Sequence, residues 1–146
     1  MNRLFFTFLG IVLLLSCSKK VEADDIDKMN GYWEIEKVVL PNGKEKKYGA
    51  NEMYEFFQIK DFTGIRKKVT PIVDGTFLVN LDAEKVSIKQ GKDNFVVHYT
   101  TFYSQWDEDL ISISSDKMIL RNENKTEYHY KRAKPMKLIK DDKKTK

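Results

Sequence analysis

The chain has 146 residues, 41% hydrophobic and 33% charged, the length of one domain. Its formal net charge is +4, with the lysines dispersed among acids rather than gathered on one element, a pattern that argues against nucleic acid as a partner. The single cysteine excludes an internal disulfide and any Cys-rich metal site.

Met1-Asn2-Arg3 is a short positive start, and Leu4 to Leu15 is an apolar run. A membrane-spanning helix needs about 20 residues, so this run fits the core of a signal peptide better. It ends in Leu14-Leu15-Ser16-Cys17. That ending resembles the lipobox of bacterial lipoproteins, in which a small residue precedes a cysteine that is acylated and becomes the mature N-terminus. The resemblance implies a signal peptide over 1–16, palmitate-type acyl chains on Cys17, and a protein held on a membrane by its lipid. Each buried CH₂ contributes about 0.8 kcal/mol, so several chains suffice without a spanning helix. Ser18 resembles the sorting context of outer-membrane lipoproteins, which implies a cell-envelope location on that membrane. Residues 17–30 are polar and read as a lipid-anchored tether. Ile26 to Asn30 is expected to form one helical turn closing the base of the domain.

Gly31 to Leu40 opens the folded domain, 31–133. Trp33, Ile35 and Val39 share one parity, with Lys37 the exception, and Glu34 and Glu36 share the other; this period of two is a half-buried strand. Pro41-Asn42-Gly43 is a turn, because proline presets φ and Asn-Gly tolerates positive φ. Met53 to Lys60 is the next strand, with Phe57 and Ile59 on one face and Tyr54 and Phe56 on the other. Phe62 to Val69 is weaker, interrupted by Gly64 and Arg66-Lys67-Lys68. Strands are then expected at Thr76–Leu81, Glu84–Gln90, Asn94–Phe102, Trp106–Ser114, Lys117–Asn122 and Thr126–Arg132, with turns at Asp74-Gly75, Gly91-Lys92-Asp93, Ser115-Asp116 and Asn122–Lys125. The tail, 134–146, is lysine-rich and too poor in apolar residues to fold alone.

About nine short segments with tight turns favour an all-β, antiparallel, up-and-down barrel of about eight strands, in which closure removes exposed edges. Gly31-x-Trp33 opening such a barrel resembles the lipocalin and calycin pattern. The run from Ile111 to Arg121 and Tyr128-His-Tyr-Lys-Arg132 resemble the last strands of lipocalin-like domains in small bacterial lipoproteins. The resemblance implies a basic residue packed across the tryptophan: Arg132, with Arg121 as the alternative. Antiparallel pairing of the first and last strands sets Trp33 and Arg132 at one rim, so the guanidinium is expected over the ring, within about 6 Å.

Chemistry-bearing patterns are sparse. His98 and His129 lack zinc spacing; His129 is expected to face solvent, whereas His98 has apolar neighbours and a possible cavity to face. Asp107-Glu108-Asp109 reads as a solvated turn more readily than a calcium site. No nucleophile context or phosphate loop is present, so neither enzyme activity nor a cofactor or metal is expected. The stretch from His98 to Trp106 combines aromatic faces with hydroxyl and amide groups; it suits either a pocket wall or cross-strand packing. Phe57, Phe77, Phe95, Val97, Tyr99, Trp106 and Tyr128 are the candidate walls of a site for a small apolar or amphipathic ligand. The competing expectation is a protein-interaction module, an inhibitor or accessory subunit of an envelope complex. An open apolar cavity favours the first reading; a filled barrel with an aromatic patch outside favours the second.

Overall fold

A computed structural model describes residues 19–49 and 51–134. The signal peptide, Cys17 and nearly all of the basic tail lie outside the described residues. A 3₁₀ helix (Ala23–Met29) is followed by nine strands: β1 (Gly31–Val39), β2 (Glu45–Lys47), β3 (Tyr54–Lys60), β4 (Thr63–Pro71), β5 (Phe77–Gln90), β6 (Phe95–Thr100), β7 (Gln105–Ile113), β8 (Lys117–Asn122) and β9 (Glu127–Arg132). Every pairing between them is antiparallel, and β3 to β9 follow one another in sequence order.

β1 closes the barrel. Along one edge it pairs with β9; along the other its first residues pair with β3 and its last with β2. Since β2 and β3 share one edge of β1, the ring is an eight-stranded, up-and-down antiparallel barrel, as expected from the sequence. Closure satisfies both outer edges at once, which an open sheet of this length would leave exposed.

The strand boundaries differ from expectation in three places. β2 was not expected: Glu45-Lys46-Lys47 has no apolar alternation, and it is held by backbone pairing to Lys37–Val39 instead. The segments expected at 76–81 and 84–90 are one strand, β5. Between Lys67↔Ala83 and Val69↔Val79, three β5 residues lie opposite Lys68 alone, and this irregularity breaks the parity that the sequence displays. β4 begins at Thr63, because Asp61 and Phe62 form the β3–β4 turn with φ of 49° and 64°. Two positive φ values in a two-residue loop match the twist of the flanking strands.

Lys37 also finds its explanation. A bulge between Ile35 and Lys37 shifts the β1–β9 register, so that Ile35 faces Tyr130 while Val38 faces Tyr128. Past the bulge the inward parity passes to Val38; Lys37 pairs with His129 and Val39 with Glu127 on the other face. The assignment of Val39 to the Trp33 face is corrected accordingly.

The core fills the barrel. Trp33, Phe57, Val97, Tyr99, Leu110, Met118 and Leu120 are all 1% exposed or less. The 3₁₀ helix plugs one end: Val21, Ile26 and Met29 are buried in the same cluster. It is longer than the expected turn and begins with a reciprocal capping box between Glu22 and Asp25. Its far end is fastened by Asn30, whose amide donates to the Ile59 carbonyl at 3.0 Å and accepts from the Ile59 N–H at 2.5 Å.

Arg132 locks this closed end. Its guanidinium lies 4.0 Å from the Trp33 ring centroid. It also donates to the carbonyls of Asn30 at 2.6 Å, Lys28 at 2.7 Å and Ser115 at 2.5 Å. The Trp33 indole N–H donates to the Met29 carbonyl at 2.7 Å. Gly31 has φ +111°, and a Cβ there would stand 2.9 Å from Arg132 Nη1, so glycine is required for the arginine to reach over the helix end. Arg121, the alternative, pairs with Asp109 instead, and their β-strand register places it on the outer face beside Val39 and Glu127.

Candidate functional site at the barrel mouth

The opposite end is the mouth, formed by the loops β1–β3, β4–β5, β6–β7 and β8–β9. Just inside it the barrel interior turns polar. Arg66 of β4 is buried, only 7% exposed, as is Glu108 of β7. Arg66 Nε donates to Glu84 of β5 in a very short hydrogen bond. The same nitrogen lies 3.8 Å from Glu55 Oε2 of β3, and Nη1 lies 3.8 Å from Glu108 Oε2. Those two contacts are ion pairs, too long for hydrogen bonds. Tyr99 and Trp106 stack across β6 and β7, with centroids 5.2 Å apart and an interplanar angle of 18°. The guanidinium lies 4.1 Å from the Tyr99 centroid and 5.5 Å from that of Trp106.

The electrostatics follow from burial. Burial works against the Arg66 charge, but the Tyr99 oxygen and the Glu84 and Glu55 carboxylates outweigh it and keep the guanidinium protonated. Burial pushes the Glu55 and Glu108 carboxyls above the usual glutamate range, with Arg66 opposing the shift in both. The Tyr99 and Tyr130 hydroxyls are driven well up, chiefly by burial. Glu55 Oε2 is buried without a hydrogen-bond partner, while the Tyr99 hydroxyl and the Glu108 carboxyl lie against each other.

Above this cluster lies a recess of about 530 Å³, lined by Lys68, Asp82, Ala83, Glu84 and the β6–β7 loop Thr101–Ser104. Glu84 belongs to both, lining the recess and bonding Arg66. The loop is fixed by Thr101, whose Oγ1 accepts from the backbone N–H groups of Tyr103 at 3.2 Å and Ser104 at 3.0 Å. It presents Phe102 and Tyr103 edge-to-face, 5.0 Å apart, and each is 92% exposed.

The residues expected to line a site are thus divided. Phe57, Phe95 and Val97 lie in the packed core, and Tyr128 is packed against it. Tyr99, in the core, and Trp106, packed against it, set their rings against the Arg66 guanidinium. The side chain of Phe77 lies outside what is described. His98 does not turn inward: Tyr99 takes the inward position, and His98 pairs with Asp107 at 2.5 Å on the outer face. His129 is not free in solvent; it is half-buried against Glu127 at 2.9 Å. Asp107-Glu108-Asp109 is no turn but the middle of β7, with Glu108 inward and Asp109 bonded to Arg121. Among the described residues, no three His, Cys, Asp or Glu side chains converge to hold a metal ion.

The buried charge cluster was not anticipated, although a signal existed. Glu55 shares the parity of Phe57 and Ile59, Glu84 that of Val86 and Ile88, and Glu108 that of Leu110. Three carboxylates on the apolar parity of amphipathic strands call for an inward cation.

No family model and no curated protein matches the chain. Among solved structures it is similar to a lipocalin-like protein from Bacteroides uniformis, at 12% identity over 73% of this chain and 99% of that one, TM-score 0.48. An uncharacterized protein from Bacteroides eggerthii aligns at 12% identity over 72% and 99%, TM-score 0.46. Apocrustacyanin C1 aligns at 10% identity over 77% of this chain and 64% of its own, TM-score 0.47. These are distant likenesses of fold; the closed, eight-stranded barrel itself is read from this chain's own strand pairing.

Proposed function

We propose that this is a lipid-anchored, non-enzymatic binding protein of the cell envelope, which takes a small amphipathic ligand at the mouth of its barrel. The observation that carries the reading is the mouth recess. Its volume, about 530 Å³, falls in the range of small-molecule sites, and it sets exposed aromatic rings beside buried charge. The lower barrel is filled by Val97, Leu110, Met118 and Leu120, so the ligand sits at the mouth and not deep in an apolar calyx. The anchor reading rests on Leu14-Leu15-Ser16-Cys17 behind an apolar run. Val21 is buried at the closed end, only four residues after Cys17. An acylated Cys17 therefore holds the closed end toward the bilayer, the outer membrane in this reading, and turns the mouth away from it. Neither histidine lies in the recess, and no catalytic role is assigned.

A second reading draws on Phe102 and Tyr103. Two rings so exposed on a fixed loop also suit an interaction module for an envelope protein.

Native mass spectrometry separates the two. The chain from Cys17 on, made without acylation, should carry a co-purifying small molecule that Tyr103→Ser loses. A ligand-free chain that instead retains one stoichiometric protein partner through Tyr103 would replace the first reading with the second. For the anchor, Cys17→Ala should abolish fatty-acid labelling and release the protein from membranes; unchanged labelling would defeat the assignment.

A further inference from the structure

We propose that the polar end of the mouth ligand is an anion, a carboxylate or a phosphate ester received by the two amino groups of Arg66, an inference that rests on the mouth reading above. The first support is the state of the guanidinium. The Arg66 side chain is only 9% exposed, yet of its three nitrogens Nε alone makes a hydrogen bond, to Glu84. Nη1 and Nη2 donate to no described residue; Glu108 Oε2 stands 3.8 Å from Nη1, beyond hydrogen-bond range. Four N–H groups of a buried cation are thus unspent, on the edge of the fork that binds carboxylate and phosphate in bidentate fashion. Neither amino nitrogen is wholly enclosed. The barrel below is packed with Val97, Leu110, Met118 and Leu120, so their opening is toward the mouth.

The second support is that the fork is held ready. The Glu84 bond fixes it on one side, and the Tyr99 ring, with its centroid 4.1 Å away, fixes it on another, so its free edge needs little ordering to receive a planar head group. The third support is the surroundings. Lys68 follows Arg66 by two residues on β4 and faces Glu55 as Arg66 faces Phe57, which turns both cations to the interior side; Lys68 lines the recess. Of the nearby carboxyls, Glu84 is bonded to Arg66 and Glu108 lies against the Tyr99 hydroxyl. Phe102 and Tyr103 stand at the edge of the recess, where they can cover an apolar tail. An ammonium head group would meet the same two cations and find the fork of no use to it.

Protons assist the anion. Burial favours the neutral forms of Glu55 on β3 and Glu108 on β7, and a neutral carboxyl leaves the Arg66 charge free for a ligand. The groups that face these two are Arg66 and Lys68 from β4, Glu84 from β5, Tyr99 from β6 and Tyr130 from β9. As pH rises and the two carboxyls ionise, they take up that charge and repel the head group, so anion binding weakens.

The test is isothermal titration calorimetry of the unacylated chain from Cys17 on, with octanoate, octyl phosphate, 1-octanol and octylamine, which share a tail and differ in head group. At pH 6 octanoate or octyl phosphate should bind at least tenfold more tightly than octanol, and octylamine more weakly than octanol; whichever anion binds more tightly identifies the head group. Raising the pH to 9 should weaken octanoate but not octanol. Arg66→Met, checked for folding by circular dichroism, should remove at least fivefold of the anion's advantage. In the unsubstituted chain the Arg66 Nε–H signal of the ¹⁵N-labelled protein should shift with the tighter anion and not with octanol, a readout that needs no variant. Octanol or octylamine binding as tightly as both anions overturns the charge assignment and leaves the mouth reading standing. An anion preference that survives in folded Arg66→Met, or that leaves the Nε–H signal unmoved, overturns Arg66 as its receiver. Binding of none of the four overturns both readings.

Discussion

Replacement of Arg132 probes the contact that closes the barrel. In Arg132→Ala, three hydrogen bonds to the carbonyls of Lys28, Asn30 and Ser115 are lost, together with the ring contact at 4.0 Å over Trp33. The side chain is partly exposed, so water rehydrates the freed carbonyls and each bond contributes toward the low end of its range, about 0.5–1 kcal/mol. The ring contact adds about 1 kcal/mol at a half-open rim. The expected loss is about 3 kcal/mol. Arg132→Lys should recover only about 1 kcal/mol, since an ammonium cannot both stack flat on the indole and reach three carbonyls from one fork. Urea denaturation followed by circular dichroism measures the loss. Hydrogen exchange locates it, because the helix Ala23–Met29 should open before the strands do. A loss under about 0.5 kcal/mol in Arg132→Ala, or full rescue by lysine, would refute the assignment of a clamp.

Three further outcomes follow from the same geometry. Gly31→Ala should cost about 2 kcal/mol in the same denaturation assay, because φ of +111° and the approach to Arg132 Nη1 both oppose a Cβ. Glu108→Gln should stabilise the protein at pH 7. The buried carboxyl titrates above its unfolded value, so its unfavourable contribution sets in as pH rises through that window and vanishes below pH 4.5; the gain, read from urea midpoints, should shrink toward zero as pH is lowered to 4.5. Phe102→Ser with Tyr103→Ser should leave stability within about 0.5 kcal/mol of the parent, both rings being 92% exposed, while abolishing binding at the mouth.

The closing contact was legible in the sequence because antiparallel order alone places the start of β1 opposite the end of β9. Trp33 and Arg132 then meet whatever the intervening strands do. The polar mouth was not legible for the opposite reason. Arg66 sits in a run with Lys67 and Lys68 that reads as solvated surface, and the irregular pairing around Lys68 scrambles the parity that would have turned it inward. Its carboxylate partners come from three other strands, far apart in sequence. Of the two alternatives for the stretch from His98 to Trp106, cross-strand packing is seen at its ends. Tyr99 and Trp106 pack across strands, while Phe102 and Tyr103 stand free at the loop between them. The hairpin turn that separates the pairs is made by Thr101, a residue whose single hydroxyl gives little sequence signal.

The most direct test of mouth binding is a titration of the ¹⁵N-labelled, unacylated chain with 1-octanol and, separately, octanoate as amphipathic probes, followed by amide chemical shifts. Saturable shifts should gather at Glu84 and Thr101–Ser104, with Met29, Trp33 and the rest of the closed end unmoved. Shifts centred on the closed end or the outer face, or none that saturate, would contradict a ligand site at the mouth.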